Sequence, residues 1–277
     1  MRTRFVIVFI LPIVCVGFST GALSGATITI GVSKDVTIFQ NNVNNSSGGG
    51  YGLFAGTNGT SSPRRALIDF DIADNVPAGA TIQSVQLTLI LGQVAGSGGG
   101  GGGGTPTIDL LPLTADWGEG TAQSGGVPAD NIGGQGQGAP AVGGDATWNA
   151  RFYPSTLWAN PGGDFSATAS ASLTIVGTTT GVPYTWGSTA GMVSDVQGWL
   201  NSPASNFGWL LKNEDEVDAT TFRAFYSRDT VNTALHPALA ITYAVPEPES
   251  VLLALLGAIL ATTGTQTLLR KKSAVAG

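Results

Sequence analysis

Apolar and polar residues alternate with a period of two along most of the chain between positions 27 and 244, as they do in β-strands. One predicted strand has apolar residues on one side and charged residues on the other: Ala66, Ile68, Phe70 and Ile72 against Arg65, Asp69 and Asp71. A turn at 77–79 leads to a longer strand at 82–91, and other strands are predicted at 27–32, 35–39, 51–55, 107–113, 172–176, 208–212, 222–227 and 238–243. Many short strands separated by Gly, Pro and Asn predict an all-β fold, a β-sandwich of the jelly-roll type.

One segment departs from this pattern and predicts a short helix. Its apolar residues recur at helical spacing and form a single face: Met192, Val193, Val196, Trp199 and Leu200. Ser188 or Thr189 is the expected N-cap, and Pro203 ends the helix because the residue before a proline avoids the α conformation.

Three stretches predict loops. Residues 96–104 contain seven consecutive glycines, residues 41–50 are rich in Asn, Ser and Gly, and residues 118–145 contain ten glycines in 28 positions. The polyglycine stretch is typical of a flexible loop tip. No composition break divides the body 27–244, so we expect one domain there.

Composition narrows the classes of function. Only 11% of the 277 residues are charged, and 41 are glycine, a poor helix former. Five of the twelve basic residues lie near the two ends, so seven remain against 18 acidic residues and the middle of the chain carries about −11. Such a surface repels phosphate, which excludes non-specific nucleic-acid binding.

The N-terminus resembles a secretory signal peptide, assigned to residues 1–26. Arg2 and Arg4 form the positive region, residues 5–17 form the apolar stretch, and small residues precede the predicted cleavage after Ala26. The single cysteine, Cys15, lies within this segment, so the mature chain would contain no disulfide and no thiol ligand or nucleophile.

The C-terminus has three parts in strict order. Val245, Pro246, Glu247 and Pro248 are followed by an uncharged run at 250–269, and then by the basic cluster Arg270, Lys271 and Lys272. Twenty helical residues span about 30 Å, the thickness of a bilayer core. The basic cluster should remain on the cytoplasmic side, with the body outside.

This order resembles the PEP-CTERM sorting signal of Gram-negative bacteria, over residues 245–272. The resemblance implies recognition by an exosortase, a membrane transpeptidase-like enzyme, in hosts that often make extracellular polysaccharide. It also implies a membrane helix that holds the protein before processing. An ordinary C-terminal membrane anchor behind a proline-rich stalk is the alternative.

The body contains a series of short segments in a recognisable order. They are residues 65–71, 76–82, 117–119, 147–149, Trp158, 162–165, 195–199, 206–212, 225–229 and 237–243. Together they resemble the DNRLRE domain, a secreted module similar to carbohydrate-binding module family 96, over nearly all of residues 28–243. The resemblance implies a β-sandwich attached to cell surfaces or to polysaccharide-degrading enzymes, with acidic glycans among the family's ligands. Asp229 departs from the family pattern, which has Glu after the arginine.

No catalytic residues are assigned. The only histidine, His236, precedes a proline at a strand start and is expected in a turn, which disfavours a Ser-His-Asp triad. Glycosidases need paired carboxylates, and Glu119, Glu214, Glu216, Asp195 and Asp218 are available, although the acidic stretch 214–218 is typical of a solvated loop. Arg228 and Asp229 are expected to pair with each other, and Arg223 to face solvent or a ligand.

The tryptophans are the candidate residues for carbohydrate binding, because sugar rings stack on exposed aromatic faces. Trp199 and Trp209 are predicted in the core. Trp158, Trp148 and Trp117 lie in or beside predicted loops and are the candidate carbohydrate-binding residues, with anchoring of those loops as the alternative. No cofactor is assigned; carbohydrate-binding sandwiches often carry structural calcium, and its ligands, like those of any other metal, stay unassigned.

The sequence thus predicts an exported, non-enzymatic protein of the cell envelope, cell surface or extracellular matrix, processed by an exosortase and associated with extracellular polysaccharide. Neutral glycans are preferred because the body is acidic. A polysaccharide hydrolase or lyase, and a structural matrix protein or adhesin without a sugar site, are the alternatives.

Overall fold

The computed structural model describes residues 24–96, 104–124 and 130–245, and residues Gly25–Val245 form one compact unit. Within these ranges the chain is mostly β-structure. The strands are β1 (Ser24–Gly31), β2 (Lys34–Phe39), β3 (Asn45–Ser46), β4 (Gly52–Thr57), β5 (Pro63–Asp69), β6 (Thr81–Val94), β7 (Thr107–Pro112), β8 (Ala139–Pro140), β9 (Ala150–Phe152), β10 (Thr156–Leu157), β11 (Ala171–Thr174), β12 (Pro183–Trp186), β13 (Trp209–Asn213), β14 (Arg223–Tyr226) and β15 (Ala238–Val245). The helix α1 covers Ala190–Asn201, and 3₁₀ turns cover Gln40–Asn42, Pro203–Ser205 and Thr233–Leu235.

Thirteen strands join into one hydrogen-bonded network in the order β1-β15-β6-β14-β4-β5-β13-β7-β11, with β12 on β6 and with β2, β3 and β8 branching from β5. The long strand β6 pairs antiparallel with β15, β12 and β14 in turn. The prediction of an all-β fold with one short helix is therefore confirmed for the described residues, and the arrangement is consistent with a β-sandwich.

The core has two main parts, one on each face of strands β5 and β13. Ile68 and Trp209 point into the larger cluster, which α1 and β6 complete. Their neighbours Leu67 and Leu210 point to the opposite face, into a second cluster that contains Trp117. Successive side chains of a strand point to opposite faces, so both strands are buried on both sides.

The helix forms as predicted. The Thr189 hydroxyl caps it by accepting a hydrogen bond from the Met192 amide at 3.1 Å, and Asn201 is its last residue. Its apolar face lies in the larger core cluster, where Trp199 meets Trp209 edge to face with ring centroids 4.6 Å apart. The predictions of Trp199 and Trp209 as core residues are confirmed.

The charged side chains of strand β5 are buried, although a strand face that carries charges is usually solvated. Arg65 and Asp69 are both buried, whereas Asp71, beyond the end of the strand, is exposed. The cause is the second cluster: the segments 111–117 and 146–158 lie over this face and supply Trp117, Trp148 and Trp158.

Two of the predicted loops pair with each other. Asn45 lies opposite Pro140, and Ser46 opposite Ala139, so the segments 41–50 and 118–145 contribute the two-residue strands β3 and β8. Local composition predicts a loop in each case, and only the long-range pairing makes a strand.

The predicted processing segments lie largely outside the described residues. Ala26, the predicted cleavage residue, is exposed in β1, and Val245 ends β15. Pro246, Glu247 and Pro248, the predicted membrane helix 250–269, and Arg270, Lys271 and Lys272 lie outside. Across residues 24–96, 104–124 and 130–245, no helix is both long and apolar enough to cross a bilayer.

Candidate functional site

Four charged residues from three distant segments meet at the start of strand β2. Arg228, which follows β14, donates two hydrogen bonds to Glu119. Its Nε lies 2.6 Å from Glu119 Oε1, and one of its η-nitrogens lies 2.7 Å from Glu119 Oε2. Glu119 Oε1 also accepts the Asp35 backbone amide at 2.8 Å. The expected pair of Arg228 with Asp229 is therefore wrong: the guanidinium bonds to Glu119, because the loop at 117–119 runs along β2 and brings that carboxylate into reach.

Asp35 and Asp229 complete this group, which we call the carboxylate cluster (Asp35, Glu119, Arg228 and Asp229). The Arg228 amide donates to Asp35 Oδ2 at 2.9 Å, and the Asp229 amide donates to the Ser227 hydroxyl at 3.1 Å. One carboxylate oxygen from each of the three acids lies within 4.8 Å of the others.

Two oxygens in the carboxylate cluster stand out. Among the residues that the structure describes, neither Asp35 Oδ1 nor Asp229 Oδ2 has a hydrogen-bond partner, although both atoms are buried. The whole Asp35 side chain is inaccessible to solvent. A buried anionic oxygen without a partner is costly, so these atoms need an explanation beyond packing.

The electrostatics of the cluster follow from burial and crowding. Burial raises the pKa of Asp35 well above its usual range, against the opposing hydrogen bond from the Arg228 amide, and the charges of Asp229 and Glu119 add to the rise. Burial and Glu119 also raise the pKa of Asp229. For Arg228, burial alone lowers the pKa, but the bonds and charge of Glu119 outweigh it and the net direction is upward.

A second ion pair joins Arg65 to Glu216, close to the segments 147–149 and 162–165. Arg65 binds both oxygens of Glu216, at 2.9 and 2.7 Å, and donates to the Gly162 carbonyl at 2.8 Å. Its guanidinium lies 4.7 Å from the ring centroid of Trp148 and 5.4 Å from that of Phe165. The acidic stretch 214–218 is therefore solvated only in part, because Glu216 turns inward.

The three candidate carbohydrate-binding tryptophans are buried in the second core cluster, with exposures of 1% for Trp117, 7% for Trp148 and 5% for Trp158. The indole nitrogen of Trp117 donates to the Phe207 carbonyl, and that of Trp158 to the Thr147 carbonyl, each at 2.9 Å. A sugar ring needs an exposed aromatic face, and none of the three rings offers one in this conformation. They hold the segments 111–117 and 146–165 against the sheet instead.

Arg223 is also placed differently from the expectation. It is buried and donates to the carbonyls of Thr221, Phe222 and Gly104 rather than facing solvent. His236 is half-buried, and its Nε2 lies 2.7 Å from the Thr230 carbonyl in a turn, as predicted.

A polar cleft of about 320 Å³ opens at Lys34, the residue before Asp35. We call it the Lys34 cleft; it is lined by Ser33, Lys34, Asp69, Asp71, Pro203 and Asn206. Lys34 Nζ donates to Asp116 Oδ1 at 2.7 Å and lies 4.5 Å from the Trp117 ring centroid. Burial raises the pKa of Asp69 to about 6, partly offset by the charge of Lys34.

Comparison with models of known protein families gives no match. Comparison with curated proteins gives no significant match either.

Sequence reasoning named three of the four cluster residues, Glu119, Arg228 and Asp229, but paired Arg228 with Asp229 and connected neither of them to Glu119. Asp35 was missed as a site residue, because it opens the predicted strand 35–39 and resembles an ordinary strand end. A signal was present in the sequence: Asp is disfavoured in strands, and here it begins one whose other residues are Val36, Thr37, Ile38 and Phe39. The Lys34 cleft had no sequence signal, because its residues come from three segments that are far apart in the chain, 33–34, 69–71 and 203–206.

Proposed function

We propose that the protein is exported, is processed at a PEP-CTERM-type signal, and presents its β-domain outside the cell, where the domain associates with polysaccharide or the envelope without catalysing a reaction. The observation that carries the proposal is the order of parts along the chain. The compact unit ends at Val245, the first residue of the predicted sorting motif, and begins at Gly25, beside the predicted cleavage site.

The arrangement of the motif segments supports a DNRLRE-like β-sandwich of jelly-roll type. The segments 117–119 and 225–229 meet in the carboxylate cluster, and the segments 65–71, 147–149 and 162–165 meet around Arg65. In this domain these segments tie loops to the sheet.

The proposed surface for polysaccharide is the Lys34 cleft rather than the buried tryptophans. Carboxylate, amide and ammonium groups hydrogen-bond sugar hydroxyls, and Pro203 supplies an apolar patch for C–H faces. Two aspartates against one lysine, which is already bonded to Asp116, favour neutral over anionic glycans.

A binding assay tests this function. Affinity electrophoresis of the wild type through gels that contain neutral or acidic polysaccharides should show retardation by a neutral one. Asp71→Asn should weaken that binding at least about tenfold, as expected for loss of a hydrogen bond to a charged group. Asp74→Asn, an exposed acid in the same turn, should bind like the wild type. Absence of retardation by any polysaccharide would favour the structural matrix or adhesin alternative.

One observation favours a hydrolase or lyase as a second candidate. Asp69, with its pKa raised to about 6, shares the cleft with Asp71, and general acids in glycosidases have raised pKa values. Release of reducing ends from a polysaccharide by the wild type, lost in Asp69→Asn, would replace the binding function by catalysis.

A further inference from the structure

We propose that the carboxylate cluster is a calcium site in which Asp35, Glu119 and Asp229 each supply a carboxylate oxygen. The inference starts from the buried, unpartnered oxygens Asp35 Oδ1 and Asp229 Oδ2. It does not depend on polysaccharide binding, so either proposal can fail without the other.

The charges in the cluster match a divalent cation. Arg228 neutralises Glu119 through its two-point contact, and the third hydrogen bond on Glu119 comes from the Asp35 amide. When both are ionised, Asp35 and Asp229 add two negative charges that no cationic side chain of the cluster balances. A bound ion of charge +2 balances them and gives both free oxygens a ligand role.

The number of carboxylates favours calcium over magnesium. One oxygen from each of the three acids lies within 4.8 Å of the others, a spacing that one Ca²⁺ ion with Ca–O distances of about 2.3–2.6 Å can bridge. Magnesium sites in proteins take only one or two carboxylates and keep several waters, whereas calcium sites take more protein oxygens. Carboxylate-only donors also suit a hard cation and disfavour zinc, which prefers nitrogen and sulfur ligands.

The loops around the carboxylate cluster are already hydrogen-bonded to one another, as expected where an ion links several loops. The Ser227 hydroxyl donates to the Gly50 carbonyl at 2.6 Å, and the Gly49 amide donates to the Ala122 carbonyl at 3.0 Å. The loop before β4 therefore touches both the segment that carries Glu119 and the segment that carries Asp229. A cation at the cluster links these loops to strand β2.

Calorimetry of the full chain tests the site. The protein, purified in a mild detergent and stripped with a chelator, is titrated with CaCl₂ and, in parallel, with MgCl₂. We expect one Ca²⁺ per chain, with Kd between about 10⁻⁵ and 10⁻³ M, and weaker binding of Mg²⁺. Asp35→Asn and Asp229→Asn keep the side-chain shape and should each weaken Ca²⁺ binding at least tenfold, whereas Asp74→Asn should bind within twofold of wild type.

Thermal unfolding shows whether a variant that binds Ca²⁺ weakly is still folded. Ca²⁺ at 100 times its Kd should raise the ratio of folded to unfolded wild type about 100-fold, and should do little for Asp35→Asn. If Asp35→Asn does not fold in chelator, Asp229→Asn decides the question. A wild type that neither binds Ca²⁺ nor is stabilised by it, or a folded variant of either aspartate that binds like the wild type, overturns the proposal.

Discussion

Arg228 and Glu119, which are 109 residues apart in the chain, form two parallel charge-assisted hydrogen bonds at 2.6 and 2.7 Å. The bonds join the segment after β14 to the loop that covers β2. Bidentate contacts of this kind combine strength with a defined orientation. They hold the carboxylate of Glu119 beside Asp35 and Asp229.

Glu119→Gln should destabilise the domain by roughly 1–3 kcal/mol, because Arg228 loses a charged partner in a partly buried place. The Arg228 side chain is 37% exposed, which keeps the cost below that of a fully buried pair. Urea denaturation measures the change. Asp116→Asn is the control: Asp116 pairs with Lys34 but is half-exposed, so it should cost less than about 1 kcal/mol. Equal losses in the two variants would argue against a structural role for the Arg228–Glu119 contact.

Trp158→Ala should destabilise the domain by roughly 3–5 kcal/mol, as should Trp199→Ala, because both rings are buried. This follows the alternative in which Trp158 anchors its loop, rather than the expectation of a ring that is free to bind sugar. Leu157→Ala, next to it and 63% exposed, should change stability by less than about 0.5 kcal/mol. Melting temperatures of the three variants measure the effects. A stable Trp158→Ala protein would restore this ring as a candidate for sugar stacking.

Asp69 should make the domain less stable as the pH rises from about 4 to about 6. Burial raises its pKa from 3.8 to about 6, so the folded state holds this proton more tightly than the unfolded state. Its contribution is present below the unfolded pKa and is lost as the pH passes through the folded pKa, in total about 2–3 kcal/mol. Urea denaturation of the wild type and Asp69→Asn at pH 4 and pH 7 measures this contribution. The difference in unfolding free energy between the two proteins should change between the two pH values. A difference that does not change with pH would contradict it.

Two glycines should respond to alanine in opposite directions. Gly208 has φ of +73°, and a β-carbon there would overlap the Ile68 carbonyl in strand β5. Gly208→Ala should therefore cost more than about 2 kcal/mol. Gly198 lies on the exposed face of α1 with open space around it, so Gly198→Ala should stabilise by about 0.5–1 kcal/mol. Denaturant midpoints of both variants report the signs, and a stable Gly208→Ala protein would argue against the described approach of that loop to β5.

Replacement of Pro246, Glu247 and Pro248 by alanine should block processing in the native host, because these residues form the motif that the proposed exosortase reads. Blotting should show a larger, membrane-retained protein, and the intact mass of the processed wild type should lack residues 1–26. Unchanged size and location of the triple variant would leave an ordinary membrane anchor as the explanation.

Local signals in the sequence were sufficient for the helix and the longer strands of the described residues, but not for the short strands β3, β8, β9, β10 and β12. The alternation around Ile68 and the helical spacing of Val196 and Trp199 come from neighbours within a few residues, so the strand, the helix and its Thr189 cap could be predicted. The same holds for Trp199 as a core residue, because its whole helix face is apolar.

Only the tertiary structure decided which polar and aromatic residues are buried and what they contact. Whether Trp158 is exposed depends on what packs against its loop, and the segments 111–117 and 146–158 cover the second face of β5. The carboxylate cluster joins Asp35 to residues 84 and 193 positions away, Glu119 and Arg228. Such contacts cannot be predicted from the type of charge and the local spacing of residues, because they form only when the strands pair and bring distant loops together.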